Sequence, residues 1–185
     1  MDTKHFFKRT EESQTTMTEL MTPNHANFGG KVHGGHILSL LDKVAYVCAS
    51  KHADTYCVTV SVDTVDFHHP VEVGELLHLM ASVNYVGNSS LLVGVKVVSE
   101  NFKTKVVRHT NSCYLTMVAV NEKGETVKVP GLKLDSEKAL RRFVEGKFRK
   151  KVKLEFKEEF ENKRKLWKKH MAEIDMGNEN CEVEV

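Results

Sequence analysis

One segment of helical periodicity, followed by four long β-type runs, is what most restricts how this chain can fold. Between residues 36 and 50 the apolar side chains fall at Ile37, Leu38, Leu41, Val44, Ala45 and Cys48, the stepping of one face of a helix. Ser39, Asp42, Lys43 and Tyr46 lie off that stripe. Residues 56–67, 75–86, 90–100 and 106–120 are rich in Val, Thr and Leu and read as strands, and 15–21 as a short first strand. Pro70 ends the first long run because proline cannot donate to a strand ladder. The Gly87-Asn88 and Asn101-Phe102-Lys103 breaks are short enough for an antiparallel meander. One helix among long strands predicts an α+β domain whose antiparallel sheet wraps that helix.

At 185 residues with 41% hydrophobic side chains, the chain can build one core, and wholesale disorder is excluded. The net charge, 27 − 25 = +2, names no partner, but its distribution is informative. Residues 1–132 carry 12 basic and 13 acidic side chains, 133–170 carry 15 and 7, and 171–185 carry 0 and 5. The expected organisation is a flexible N-terminus at 1–14, a body at 15–132, a charged helical extension at 133–175 and a disordered tail at 176–185. Asp135 or Ser136 is the expected N-cap of the extension. Its apolar stripe of Phe143, Phe148, Val152, Phe156, Phe160 and Trp167 is expected to pack. Acids interleave with its lysines, which argues against a nucleic-acid partner.

No apolar run reaches the roughly eighteen residues of a membrane span, and the N-terminus lacks a signal-peptide core, so a cytoplasmic protein without a membrane partner is expected. Cys48, Cys57, Cys113 and Cys181 show no zinc or redox spacing and read as free thiols in a reducing compartment. His33 and His36, or the His68-His69 pair, lack partners at ligand spacing, so no metal is expected.

The chemistry concentrates in Asn27-Phe28-Gly29-Gly30-Lys31-Val32-His33-Gly34-Gly35 and the helix beyond it. Glycines there let another molecule approach the backbone, and a helix N-terminus offers unpaired N–H groups to a polarised carbonyl or an oxyanion. The same glycines would also serve simple tight turns. Asp42 either faces solvent or acts as a base or nucleophile. It lies eight residues beyond Gly34, roughly 12 Å at about 1.5 Å per residue. Both groups can then serve one carbonyl only if the aspartate comes from a second copy, which predicts a site shared across a two-fold interface.

These residues, with Val58-Thr59, with Val65-Asp66-Phe67-His68-His69-Pro70 and with residues 114–120, resemble the hotdog-fold acyl-CoA thioesterases of the hexameric acyl-CoA hydrolase type. The resemblance spans about residues 12–132. It implies a hotdog fold, hydrolysis of fatty acyl-CoA to free acid and CoA, and a dimer or trimer of dimers. It implies catalytic roles for Asn27 and Asp42 from opposite subunits, with Thr59 assisting. Backbone N–H groups at Gly34 or Gly35, beside His33, would meet the oxyanion. No cofactor is implied beyond the CoA of the substrate. Asn88, Ser89 and Ser90 resemble the family's turn near the nucleotide, though that turn often carries Arg where this chain has Asn88. Arg108 with His109, or Lys103 with Lys105, are alternative phosphate contacts. The competing reading is a non-catalytic acyl-CoA-binding hotdog module. A hotdog dehydratase, using His33 or His36, fits the Asn27–Asp42 spacing less well.

Overall fold

In the computed structural model the described residues are 7–169, 177, 179 and 180. The chain divides into two compact units, Met1–Gly146 and Lys147–Val185. In chain order the elements are β1 (Phe7–Arg9), α1 (Thr10–Ser13), β2 (Thr15–Leu20), a 3₁₀ turn (Pro23–His25), α2 (Gly34–Ala53) and β3 (Cys57–Val62). They continue with β4 (Leu76–Val86), β5 (Ser90–Glu100), β6 (Val107–Ala119), β7 (Gly131–Lys133) and α3 (Glu137–Lys169). Five strands form an antiparallel sheet in the order β2-β4-β5-β6-β3, and β1 pairs in parallel with β7.

The sheet curls around α2, as a hotdog fold requires. Alternation on β5 turns Leu91, Val93, Val95 and Val97 inward, and β6 contributes Cys113, Leu115, Met117 and Ala119. Against them α2 presents Ile37, Leu40, Leu41, Val44, Ala45, Cys48 and Ala49, all buried. Leu40 and Leu41 are completely enclosed, and truncating either to Ala would cost about 2–5 kcal/mol. His33 caps the start of α2, and Asp54 ends it in the left-handed conformation with φ 54°.

The helix is longer than its periodicity suggests, and Leu38, expected on the buried stripe, is exposed. Leu40 takes its place because the buried sector is centred on Leu41, Val44 and Cys48. The strand expected over 56–67 ends at Val62. Beyond it the Asp63 amide bonds back to the Tyr114 carbonyl of β6 and the His68 amide to that of Thr110.

The expectation of a loose N-terminus is corrected from Phe7 onward. Lys8 is 7% exposed and donates from Nζ to Asp54 Oδ2 at 2.6 Å and to the Lys51 carbonyl at 2.9 Å, which ties β1 to the end of α2. The boundary expected at 132/133 also moves, since the first turns of α3 belong with the body. Phe143 lies 5.1 Å from the Tyr85 ring, and a Cβ on Gly146 would sit 2.7 Å from Tyr85 Cβ. Within Lys147–Lys169 the aromatic side chains expected to pack are exposed, Phe148 and Phe156 at 64% and 67%. Residues 170–176 and most of the tail lie outside the described residues.

Candidate active site

The segment between the 3₁₀ turn and α2 is a small hairpin. Ala26 pairs with Val32, the Asn27 amide donates to the Lys31 carbonyl, and the Gly30 amide returns to the Asn27 carbonyl. Gly30 turns the corner at φ 74°, where a side chain would be strained. The hairpin is held on the far side by Val32 N–H to the Val71 carbonyl and by the Lys31–Glu72 ion pair. Phe28 at its tip is fully exposed.

Asn27 Oδ1 accepts the amides of Gly29 at 2.9 Å and Lys31 at 3.2 Å. The carbonyl half of this amide therefore belongs to the turn, and Nδ2 is the donor left to this exposed side chain. At the helix start, His33 Nδ1 accepts the Gly35 amide at 2.9 Å. That bond removes Gly35 from the expected oxyanion donors, and only the Gly34 amide remains of the two. A Cβ at position 35 would lie 2.8 Å from the His33 ring, so the cap needs glycine there.

Asp42 sits two turns further along α2, where the helix passes β3. Thr59 Oγ1 donates to Asp42 Oδ1 at 2.6 Å, and β3 bulges immediately afterwards, at Val60. Asp42 and Thr59 line an open cavity of about 360 Å³ with Lys43, Tyr46, Tyr56 and Val58. Tyr46 and Tyr56 meet edge to face at 5.7 Å. These tyrosines were absent from the expected site, although Tyr46 is one turn from Asp42 and shares its face. A second open cavity of about 690 Å³ shares Tyr56 and Val58 and extends to the Asn121–Gly124 turn.

The remaining candidates fall at opposite ends of the sheet. Ser90 pairs with Val118 and Arg108 with Ser99, so nine residues of β5, roughly 30 Å, separate them. Asn88 and Ser89 spend their carbonyls on the amides of Val129 and Ala119. Arg108 and His109 lie towards the start of α2: the His109 ring is 6.0 Å from that of His68, and Phe67 lies 3.7 Å from a Cβ built on Gly34. Within one chain the two sets cannot hold the same phosphate.

The fold and these positions have counterparts among known proteins. A profile described as "Thioesterase superfamily" matches residues 29–105. Protein VdlD of Helicobacter pylori is 48% identical over 76% of this chain and 80% of its own. A hexameric acyl-CoA thioesterase, solved without ligand, is 35% identical with a TM-score of 0.78 over 81% of this chain and 96% of its own. The chain belongs to the hotdog acyl-CoA thioesterases. Another similar structure is the acyl-CoA hydrolase of Staphylococcus aureus, solved with butyryl coenzyme A and coenzyme A. It is 27% identical, with a TM-score of 0.75, over 90% of this chain and 99% of its own.

This thioesterase accordingly places the helix start and Asp42 on one unbroken helix, with Asp42 eight residues beyond Gly34. Along α2 that is roughly 12 Å. No bend brings the Gly34 amide and the Asp42 carboxylate onto one atom.

Proposed function

We propose that the protein hydrolyses fatty acyl-CoA to free acid and CoA in the cytoplasm, as a dimer that assembles further into a trimer of dimers. The observation that carries this reading is the fixed carboxylate of Asp42. Thr59 engages one oxygen, and the other has no partner among the described residues where the side chain lines the cavity. A carboxylate oriented in this way takes a proton from water as the water oxygen attacks the thioester carbon. The tetrahedral oxyanion is met by Asn27 Nδ2 and the Gly34 amide of the opposite subunit. Collapse breaks the C–S bond, and the CoA thiolate leaves with a proton while the acid forms.

Division between subunits follows from the length of helix separating Gly34 from Asp42, and the exposed Phe28 hairpin suits a part that reaches another chain. Solved alanine variants of the S. aureus acyl-CoA hydrolase change an asparagine, an aspartate and a threonine spaced 15 and 17 residues apart. Asn27, Asp42 and Thr59 have the same spacing, 42 − 27 = 15 and 59 − 42 = 17. The chemistry needs no resident cofactor or metal. The CoA phosphates fit Arg108 and His109, which lie towards the helix start that carries Gly34; Asn88, Ser89 and Ser90 lie at the end of the sheet that carries Thr59.

Release of CoA thiol from acyl-CoAs of graded chain length, with wild type and Asp42→Ala in parallel, tests the reading. Turnover that disappears in the variant supports it. Tight binding of acyl-CoA with no turnover in either protein would instead indicate a binding module.

A further inference from the structure

Glu19 on β2, His25 at the end of the 3₁₀ turn and His36 in the first turn of α2 converge from three elements. The two imidazoles stack with centroids 3.8 Å apart and planes 18° apart. His36 Nε2 lies 3.2 Å and His25 Nε2 3.8 Å from the same oxygen, Glu19 Oε1. All three side chains are partly buried.

A group of two histidines and a carboxylate invites a metal ion, but the hydrogen bonding favours protons. The Thr22 amide donates to His25 Nδ1 at 3.3 Å, so in the neutral ring the proton resides on Nε2, which faces Glu19. His36 Nε2 is within hydrogen-bond distance of the carboxylate and donates to it. A metal would need lone pairs at both Nε2 atoms. It would also have to lie in both ring planes, and nearly parallel planes stacked 3.8 Å apart do not meet on one ion. The arrangement is a carboxylate facing two N–H groups.

The clamp closes the base of the Asn27 hairpin. The His25 carbonyl accepts the His33 amide at 2.7 Å, and the next residues, Ala26 and Val32, pair. His33 in turn caps α2. Moving His25 thus moves Asn27, two residues on, and moving His36 moves the helix start that carries the Gly34 amide. The other side of the hairpin is already fixed through Val71 and Glu72. With the clamp open, the hairpin is free to swing about that attachment.

We propose that Glu19, His25 and His36 form a positioning set that fixes Asn27 against the start of α2 and so sets the turnover of the thioesterase. This rests on the function proposed above. None of the three touches the reacting atoms. Their effect passes through Asn27, where a small misplacement lowers the rate more than binding.

The test is a double-mutant cycle between His36→Ala and Asn27→Ala, read as kcat and KM for an acyl-CoA that the wild type hydrolyses. His36→Ala is expected to lower kcat roughly tenfold or more with KM within about twofold. His36→Gln, whose side-chain amide still donates to Glu19, should recover most of the loss. In the Asn27→Ala background the same alanine change should cost less than about twofold, because the group it positions has gone. Amide exchange at Asn27 and Gly30 should quicken in His36→Ala while the melting temperature holds. The full loss in both backgrounds, or wild-type kcat in His36→Ala, would overturn the proposal and leave the hydrolase reading standing. One zinc ion per chain, bound by wild type but not by His36→Ala in a ZnCl₂ titration, would also overturn it. A wild type without turnover would remove the function and this proposal together.

Discussion

Thr59 Oγ1 and Asp42 Oδ1 are 2.6 Å apart, a charge-assisted hydrogen bond that joins the edge strand β3 to α2. The bond fixes the carboxylate rotamer. The threonine hydroxyl also lies 3.2 Å from Met117 Sδ, and its single proton goes to the carboxylate, the stronger acceptor.

Removing that donor should therefore slow the chemistry without emptying the site. A hydrogen bond to a charged group contributes about 1.5–3 kcal/mol, so Thr59→Val should lower kcat by roughly ten- to a hundredfold with little change in KM. Thr59→Ser keeps the hydroxyl and should stay within a few-fold of wild type. Steady-state kinetics on the two variants separates a lost donor from lost packing; equal losses in both would mean that packing dominates.

If Asn27 and Asp42 serve one thioester from different chains, Asn27→Ala and Asp42→Ala homo-oligomers should each keep only a slow, measurable residual turnover, about a hundredfold or more below wild type. Subunits exchanged between the two should form hybrid dimers in which one of the two sites has both groups. At equal mixing about half of the dimers are hybrids, so roughly a quarter of wild-type sites should return, a value that follows from the two-fold symmetry. Exchange verified by native mass spectrometry without recovered activity would place both groups in one chain.

The three described cysteines bear on how such assays are read. Burial pushes the thiols of Cys48 and Cys113 up to about 12, and burial also raises that of Cys57. A thiolate is the reactive form, so these side chains should resist chromogenic disulfide reagents at pH 8 in the folded protein and react on denaturation. A Cys181→Ser variant makes the count clean. Rapid labelling of any of the three without denaturant would show that the sheet opens locally.

Much of the fold was legible because the chain reports its own periodicity. Ile37, Leu41, Val44 and Cys48 mark the helix, and the four strand-like runs match β3 to β6 apart from their ends. What the sequence hid are relationships over long separations. Lys8 reads as a polar terminal residue until its partner Asp54, 46 positions away, is seen. Glu19, His25 and His36 come from a strand, a turn and a helix, and no local spacing announces their meeting. At the site, the residue types were readable but their hydrogen bonds were not. Nothing in the Gly34-Gly35 pair shows that the His33 ring occupies one amide and leaves the other.

His52 gives the fold a dependence on pH. Its ring is fully buried, with Nε2 3.0 Å from the Pro130 carbonyl and Nδ1 3.5 Å from Ser13 Oγ. Burial, with a smaller contribution from the Lys8 charge, lowers its pKa below the usual histidine value, so the folded chain keeps it neutral. The unfolded chain takes up a proton near pH 6.5, so below that value it binds more protons than the folded one. Stability should then fall with acidification, by at most about 1.4 kcal/mol per pH unit from this group, and the effect should vanish above about pH 7.5. His52→Gln keeps an N–H for Pro130 but does not titrate. It should be less stable at neutral pH and should lose less between pH 7.5 and 5.5. Urea midpoints for both proteins across that range check the prediction, and parallel curves would assign the acid sensitivity to other groups.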